Sequence, residues 1–366
     1  MATIGAGGSI PDFEVSRNPG AWFYVGLGLA IAATGIGNPG GCRWAAAAEL
    51  SPPRARVIVV HDPRAMETYQ PNPVRVRQML DRALRRWTEQ PEAAAAWRTL
   101  VSTGDVVGIK VASTLGPTFG TRPAVVAALI EGLLAAGIPA TNIVVWDKYL
   151  SDLRRAGFDE LATRYGVELA GAVESGFDPE VAYDSPLLGT LVWGDLEFGQ
   201  HLPGAGRKSH VTRLLTQRVT RLIVVSPMVA HVEAGVTGLL YTLAMGSVDN
   251  FQRFEGEAAR LAQAVPEICA LPPLADRLVL CVVDALLCQY LGGNRGLLHY
   301  STVLNELRIG RDPVALDVLS LQELERQRRL MNIAHPPVNR DLYENAALLE
   351  LGVSDLARID VQRLPE

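Results

Sequence analysis

Four side chains that could do chemistry lie at or just beyond apolar runs typical of buried strands. Lys110, Asp147 and Asp284 each end such a run, and His231 follows another one shortly after Ser226 and Pro227. In open parallel sheets, ligands bind beyond the carboxyl ends of the strands. Lysine offers a positive point charge for an anion, histidine titrates near neutral pH, and imidazole with carboxylates suits several divalent metals. We therefore predict one rim site, with His231 and Lys110 as catalytic candidates and Asp147, His231 and Asp284 as metal ligands.

Two glycine-containing loops supply the predicted ligand contacts. One runs from residue 112 to 121 and the other follows Pro227, where proline is predicted to stop the strand because it has no N–H for the ladder. Glycines allow close approach of the backbone to a ligand. The residues predicted to bind a cofactor or ligand are Thr121, Arg122, Gly235, Thr237, Gly238 and Asn250.

Structural roles for the same residues stay open. Lys110 and Asp147 could form a buried ion pair, and His231 could cap a helix or bond backbone groups. A nucleotide-binding enzyme is disfavoured, because neither a G-x-G-x-x-G after the first strand nor a P-loop is found.

The clearest local unit runs from Gly104 to Lys148. It has a βαβ pattern: an apolar strand over 106–111, a helix from Arg122-Pro123 to Ala135 and a strand over 142–146. This pattern implies that the two strands pair in parallel. We predict an α/β fold with a mostly parallel sheet flanked by helices. Residues 49–366 are predicted to form one domain, with a small inserted lobe at about 178–208 that contains the alternating run Thr190–Trp193.

The N-terminal segment has the parts of an export signal. Residues 18–42 carry no charge, Arg17 precedes them, and the small-residue tract Ala45–Ala48 follows. We predict that residues 1–48 are a signal peptide or an N-terminal membrane segment. The protein is then exported (periplasmic or extracytoplasmic) and is either released or tethered to the membrane. Membrane contact is expected only through residues 18–42.

The composition excludes some function classes. A net charge of −5 and a pI of about 5.8 argue against a nucleic-acid partner. Cys269, Cys281 and Cys288 show neither CxxC nor ferredoxin spacing, so no iron–sulfur cluster is expected within this chain. Lysine occurs only three times, which makes each lysine informative.

Several segments occur in an order that is typical of one protein family: Val107–Lys110, Thr121–Pro123, Ala136-Gly137, Ile143–Asp147, Pro227 to Gly238 with His231, Val283–Ala285, Gly292-Gly293 and Ala315–Asp317. These ordered motifs resemble the prokaryotic family of the domain of unknown function 362. The resemblance covers about Arg56 to Val361. Members of this family are often exported and are sometimes fused to ferredoxin-like domains, so the resemblance implies a redox or metal context. The chain departs from the family at positions that usually hold a basic residue or an asparagine. These positions are Met228, Tyr241-Thr242 and Phe254.

Two functions follow from these observations. The first is an exported α/β protein with a small-anion or divalent-metal site at the rim of the sheet. The alternative is a non-catalytic surface or accessory subunit, anchored by its N-terminal segment, that uses Leu191, Trp193 and Phe198 to bind a protein partner. Enzyme activity is compatible with the first function and is not required by it.

Overall fold

The computed structural model describes residues 54–293 and 295–364. The predicted leader, including residues 18–42, lies outside the described residues. The strands are β1 (Ala55–His61), β2 (Met66–Glu67), β3 (Gln70–Pro71), β4 (Val107–Val111), β5 (Ile143–Asp147), β6 (Glu168–Gly171), β7 (Phe177–Asp184), β8 (Lys208–Thr212), β9 (Arg221–His231), β10 (Gly235–Val236), β11 (Leu278–Gln289), β12 (Ser301–Gly310) and β13 (Ile359–Leu364).

A single large sheet organises the molecule. Its order is β13-β1-β12-β11-β9-β4-β5-β6, and β10 pairs with the end of β9. Along this order only β12 runs antiparallel to its neighbours; the other pairs are parallel. The carboxyl ends of β11, β9, β4 and β5 therefore meet at one edge, and the predicted mostly parallel α/β fold is confirmed.

Helices cover both faces of the sheet. They are α1 (Pro73–Thr88), α2 (Ala93–Arg98), α3 (Gly116–Phe119), α4 (Pro123–Ala135), α5 (Leu150–Arg155), α6 (Phe158–Tyr165), α7 (Ala172–Ser175), α8 (Leu239–Ser247), α9 (Ala258–Cys269), α10 (Pro272–Ala275), α11 (Pro313–Leu330) and α12 (Asp341–Leu348), with short 3-10 turns and one π turn between them. None of these helices combines the length and apolarity needed to span a bilayer.

Two hydrophobic cores follow from strand alternation. Residues such as Ile109 and Val145 pack with α1, α2 and α4 on one face, whereas Trp146 and Val224 pack with α8, α9 and α11 on the other. Lys110, one position after Ile109, therefore points to the α8 face. The cysteines of the described chain, at 269, 281 and 288, are unpaired and buried in the second core, as expected for small apolar side chains.

Proline does not end β9, contrary to the sequence prediction. The strand continues through Ser226 and Pro227 to His231. The neighbouring strand β4 ends opposite Val225, and the β9–β11 register shifts after the pair formed by Pro227 and Asp284. The ladder is therefore already interrupted at Pro227, where a missing N–H costs little.

Asp284 likewise does not end its strand. β11 runs on to Gln289 because the antiparallel partner β12 continues beside it, with Gln289 opposite Ser301. In the inserted lobe, β7 and β8 form the hairpin, and residues 185–207 connect them. Thr190–Trp193, the alternating run, lies in that connection and forms no strand, because no neighbouring segment pairs with it.

Candidate functional site

A buried ion pair joins the ends of β4 and β5. Lys110 Nζ lies 2.7 Å from Asp147 Oδ1 and also donates to the carbonyl of Val111 at 2.7 Å. The Asp147 carboxylate accepts three more hydrogen bonds, from the backbone N–H and hydroxyl of Ser113 and from the backbone N–H of Lys148. Lys110 and Asp147 are thus close together, as predicted. They form the buried ion pair that the sequence analysis gave as their alternative, structural role.

Gly246 of α8 leaves the space that Lys110 fills. A Cβ atom at this position would lie 2.2 Å from Lys110 Cε and 2.5 Å from Nζ. The lysine ammonium also lies 5.4 Å from the centroid of Trp146. The close passage of α8 over β4 therefore holds Lys110 in a single position.

Lys148, directly after β5, is a second buried cation with different partners. Its ammonium donates to the carbonyl oxygen of Val248 and lies 4.7 Å and 5.1 Å from the ring centroids of Phe251 and Phe177. Among the described residues no carboxylate forms an ion pair with it. Burial lowers the pKa of Lys148 from 10.5 to about 8; Lys110 adds to this fall, and Asp249, Asp195 and Asp147 oppose it.

The two ring nitrogens of His231 have different environments. Nδ1 accepts from the backbone N–H groups of Ala234 at 3.1 Å and Glu233 at 3.3 Å. Nε2 is buried and has no hydrogen-bond partner among the described residues. Burial lowers the pKa of His231, against the opposing effect of Glu233, so the neutral ring is favoured. Because Nδ1 accepts, the single proton of the neutral ring lies on Nε2.

A cavity of about 270 Å³ lies among these groups, between the ends of β4, β5 and β9 and the helix α8. Its walls are mainly apolar and include Leu115, Met245 and Phe251. Thr242 also lines it, with a buried hydroxyl that has no partner in the described chain. The polar lining residues most relevant here are Lys110, Asp147, Lys148, His231, Thr237 and Thr242.

Asp284, Arg122 and Thr121 lie beside the cavity and do not line it. Arg122 Nη1 lies 2.8 Å from Asp284 Oδ1, and the Arg122 backbone N–H donates to Oδ2 at 3.0 Å. Thr121 donates its hydroxyl to the carbonyl of Val225 at 2.8 Å. These bonds attach the loop over residues 112–122 to β9 and β11, and Asp284 is not brought to Asp147 and His231.

Two predicted glycines serve chain packing. Gly235 has φ +83° and faces the side chains of Val338 and Leu321. Gly238 faces Asp317, which accepts the N–H groups of Leu239 and Leu240 at 2.7 Å and 3.0 Å and so caps α8.

Three polar residues after α8 hold the inserted lobe. Asn250 donates to the carbonyls of Gly206 and Lys208, and Arg253 donates to the carbonyl of Leu187 at 2.6 Å. Asp249 accepts from the N–H of Leu196 at 2.7 Å. Asn250 therefore contacts the lobe and not the cavity.

The carboxylates nearest to His231 are not the predicted pair. Ligand atoms of His231, Glu233 and Glu255 lie within 4.8 Å of one another. The Nδ1 lone pair already accepts backbone N–H groups, and Glu255 accepts the hydroxyl of Tyr241 at 2.8 Å. Histidine that binds a metal usually donates its second nitrogen, which here would require a proton on Nδ1.

With this geometry established, the comparisons assign a family. The sequence profile described as Domain of unknown function (DUF362) matches residues 107–322, more than half of the chain. The chain belongs to the DUF362 family. This confirms the predicted resemblance, and the matched range includes every residue that we have placed at the cavity.

A solved structure gives a second, weaker similarity. It is a Thermotoga maritima protein from a structural genomics consortium, with 12% sequence identity and a TM-score of 0.38. The aligned region covers 75% of this chain and 62% of the Thermotoga chain, so it spans less than two thirds of that protein. A comparison with curated proteins found no match.

Two cavity residues of this DUF362 member were missed by sequence reasoning. Lys148 directly follows a strand end. Because the chain has only three lysines, this position could have been identified from the sequence. Thr242 was noted only as a departure from the family pattern. Its exposure to the cavity depends on how α8 crosses the sheet, which no local pattern indicates.

Proposed function

We propose that the cavity binds a small organic anion, most simply a carboxylate. The observation that carries this proposal is the unpaired charge of Lys148. Lys110 is balanced by Asp147, and Asp152 lies 2.8 Å from Arg155, whereas Lys148 has no carboxylate partner in the described chain. A buried cation without a paired negative charge is costly, and a bound anion would offset that cost.

Two buried polar atoms support the same ligand. His231 and Thr242 both line the cavity, and each has a buried atom that can donate to an oxygen, Nε2–H and the hydroxyl, without a partner in the described chain. Buried donors without partners are rare in folded proteins, so they favour a ligand that accepts hydrogen bonds. The apolar remainder of the wall suits a short carbon skeleton.

A divalent cation, the other ligand predicted for this rim, has less support. Asp147 already accepts four hydrogen bonds, and Asp284 is paired with Arg122. Metal analysis of the purified protein separates the two ligands. We expect no stoichiometric metal, and a retained ion that His231→Asn removes would favour the cation.

Calorimetry with lactate and lactamide tests the anion site, because these molecules differ mainly in charge. We expect lactate to bind and lactamide to bind at least about tenfold more weakly, since a hydrogen bond to a charged group contributes about 1.5–3 kcal/mol. Lactate binding should weaken between pH 7 and pH 9, as Lys148, with a pKa of about 8, loses its proton. Equal binding of both molecules, or of neither, would count against the proposal.

A second candidate function is docking through the lobe. Trp193 is 85% exposed and Phe198 48% exposed, and their rings lie 6.1 Å apart in an edge-to-face contact. Exposed aromatic residues are frequent anchors of protein interfaces. If the lobe docks a protein partner, Trp193→Ser should abolish capture of that partner while lactate binding persists; capture that is unaffected would exclude the role of this residue.

Export remains part of the proposal for the whole protein. The uncharged run at residues 18–42 and the alanine tract at 45–48 support it. Intact-mass measurement on protein from the native host should find a chain shortened near residue 48 or a full-length chain in the membrane fraction. A full-length soluble cytoplasmic chain would contradict export.

A further inference from the structure

A second cavity, of about 660 Å³, lies at the opposite edge of the sheet from the cavity beside α8. Four arginines line it, Arg54, Arg56, Arg311 and Arg358. They lie at the start of β1, just after the end of β12 and just before β13. Because β12 runs antiparallel to β1 while β13 runs parallel to it, the end of β12 meets the starts of the other two strands. The topology of the sheet therefore gathers these arginines in one place.

The strand registers place the arginines in pairs of like charge. The register of β1 and β12, continued past its last pair, puts Arg311 opposite Arg56. The register of β1 and β13, continued back by one residue, puts Arg358 beside Arg54. Like charges directly opposite each other destabilise a sheet. An anion bound among the four side chains would offset this repulsion.

Neighbouring carboxylates balance only part of the positive charge. Arg56 is paired with Glu89 at 2.9 Å. Asp312 lines the cavity, but its two oxygens accept backbone N–H groups, one of them in the first turn of α11. Within the part of the chain that the structure describes, Arg54 and Arg311 form neither an ion pair nor a side-chain hydrogen bond. Their guanidinium groups therefore remain available to a ligand.

An apolar cavity of about 160 Å³ adjoins the arginine-lined one. The two cavities share three lining residues, Arg311, Glu350 and Leu351. Most of the remaining wall of the smaller cavity consists of four leucines, Leu240, Leu243, Leu274 and Leu278. An apolar cavity of about 150 Å³ stays dry and can bind benzene. The smaller cavity therefore suits a hydrocarbon group of about six carbons.

We propose that the two cavities together bind a phosphate monoester with a short hydrocarbon chain. Arg54 and Arg311 bind the phosphate, because the planar fork of a guanidinium group matches phosphate oxygens, and the chain enters the apolar cavity. Such a phosphate can belong to a free ester or to a lipid head group. The long chains of a membrane lipid exceed the apolar cavity, so we assign the site to a free ester. This site is independent of the carboxylate site proposed above.

Calorimetry on the full-length protein with hexyl phosphate, inorganic phosphate and hexanol tests the inference. Hexyl phosphate should bind at least about tenfold more tightly than inorganic phosphate, since burial of each CH₂ group strengthens binding about fourfold. It should also bind about tenfold more tightly than hexanol, which lacks the charge. Absence of hexyl phosphate binding would overturn the proposal. Equal binding of hexyl phosphate and inorganic phosphate would exclude an ester as the ligand.

Substitutions locate the binding. Arg311→Gln should weaken hexyl phosphate binding about tenfold. The matched control is Arg329→Gln, the same change at an exposed residue that lines neither cavity, and it should leave binding unchanged. Glu350→Gln removes a lining carboxylate and should strengthen binding, whereas Ala275→Leu fills the apolar cavity and should reduce hexyl phosphate to the affinity of inorganic phosphate. Circular dichroism shows that each variant is folded. Equal losses in the two arginine variants would reveal non-specific charge attraction and contradict the site.

Sedimentation with vesicles of phosphatidylcholine and phosphatidic acid distinguishes the two sources of phosphate. We expect the wild type and Arg311→Gln to sediment to the same extent, whether or not residues 18–42 bind the membrane. If Arg311→Gln sediments less than the wild type, and hexyl phosphate releases the wild type from the vesicles, the ligand is a lipid head group and the free ester is excluded.

Discussion

At the scale of single residues, His231 divides two tasks between its ring nitrogens. Nδ1 holds the turn at residues 233 and 234, and Nε2 is buried without a partner among the described residues, in a histidine that lines the cavity. The structural and the functional interpretation of this histidine are therefore compatible. Substitutions that remove one nitrogen or both can separate them.

We predict opposite effects for two substitutions of His231. In His231→Asn the side-chain oxygen takes about the place of Nδ1, so the turn should stay intact while lactate binding falls about tenfold or more. His231→Ala removes both functions and should also lower the free energy of unfolding by about 1–3 kcal/mol, because two backbone N–H groups lose their acceptor. Urea denaturation and calorimetry on both variants measure the two effects.

Two outcomes would contradict this division. Normal lactate binding by His231→Asn would show that Nε2 has no role at the cavity. Equal destabilisation by both substitutions would show that the asparagine oxygen does not replace Nδ1 and that the variant cannot separate the tasks.

At the scale of elements, α8 determines the shape of the site. Its glycine at 246 admits Lys110, its Thr242 faces the cavity, and Asp317 of α11 caps its first turn. The helix is thus capped at its first turn by Asp317 and packed closely against Lys110 near its last turn. Changes at either end should alter stability and the site together.

Gly246→Ala should break the fit between α8 and Lys110. The added methyl group would lie 2.2 Å from Lys110 Cε, so either the helix or the lysine must move. If Lys110 loses Asp147, one buried charge remains without a partner, and the expected loss of stability is about 3 kcal/mol. Chemical denaturation measures it.

Gly104→Ala is the matched control. No atom lies within 4 Å of a Cβ at this exposed turn, so its stability should change little. A Gly246 variant as stable as this control would show that the lysine rearranges without cost and that the close packing of α8 is not essential.

The cap of α8 should make stability depend on pH. Burial raises the pKa of Asp317 to about 7, although the N–H groups of Leu239 and Leu240 oppose the rise. The folded protein therefore holds this proton more tightly than the unfolded chain, whose aspartate has its ordinary pKa of 3.8. The contribution of Asp317 is fully present below pH 4 and decreases as the pH rises to about 7.

Asp317→Asn removes this titration. The free energy of unfolding of the wild type should fall relative to that of the variant between pH 4 and pH 7, measured by urea denaturation at several pH values. Asp312, whose pKa burial raises to about 6, is present in both proteins and cancels to first order. A constant difference across this range would mean that Asp317 stays ionised throughout.

At the scale of the whole molecule, the sequence predicted the mostly parallel sheet and the edge at which Lys110 and Asp147 meet. Apolar runs separated by helical periods indicate parallel strands, so Lys110 and Asp147 were correctly expected to be close. The antiparallel β12 was not predicted, because pairing direction depends on distant neighbours. The extensions of β9 and β11 past Pro227 and Asp284 were missed for the same reason.

The site itself was only partly predictable. Lys110, Asp147, His231 and Thr237 do line one cavity. The sequence could not show that Arg122 would pair with Asp284, or that Asn250 would hold the lobe, because these contacts join segments far apart in the chain. Lys148 and Thr242 acquire their importance from burial, which local patterns do not reveal.

A crystal structure of the protein with lactate, solved at saturating concentration, tests the central claim most directly. The account predicts lactate in the cavity between β4, β5, β9 and α8, with a carboxylate oxygen within hydrogen-bond distance of His231 Nε2 and Thr242 Oγ1 and the negative charge near Lys148. A cavity that contains only water, or lactate found only on the outer surface, would contradict it.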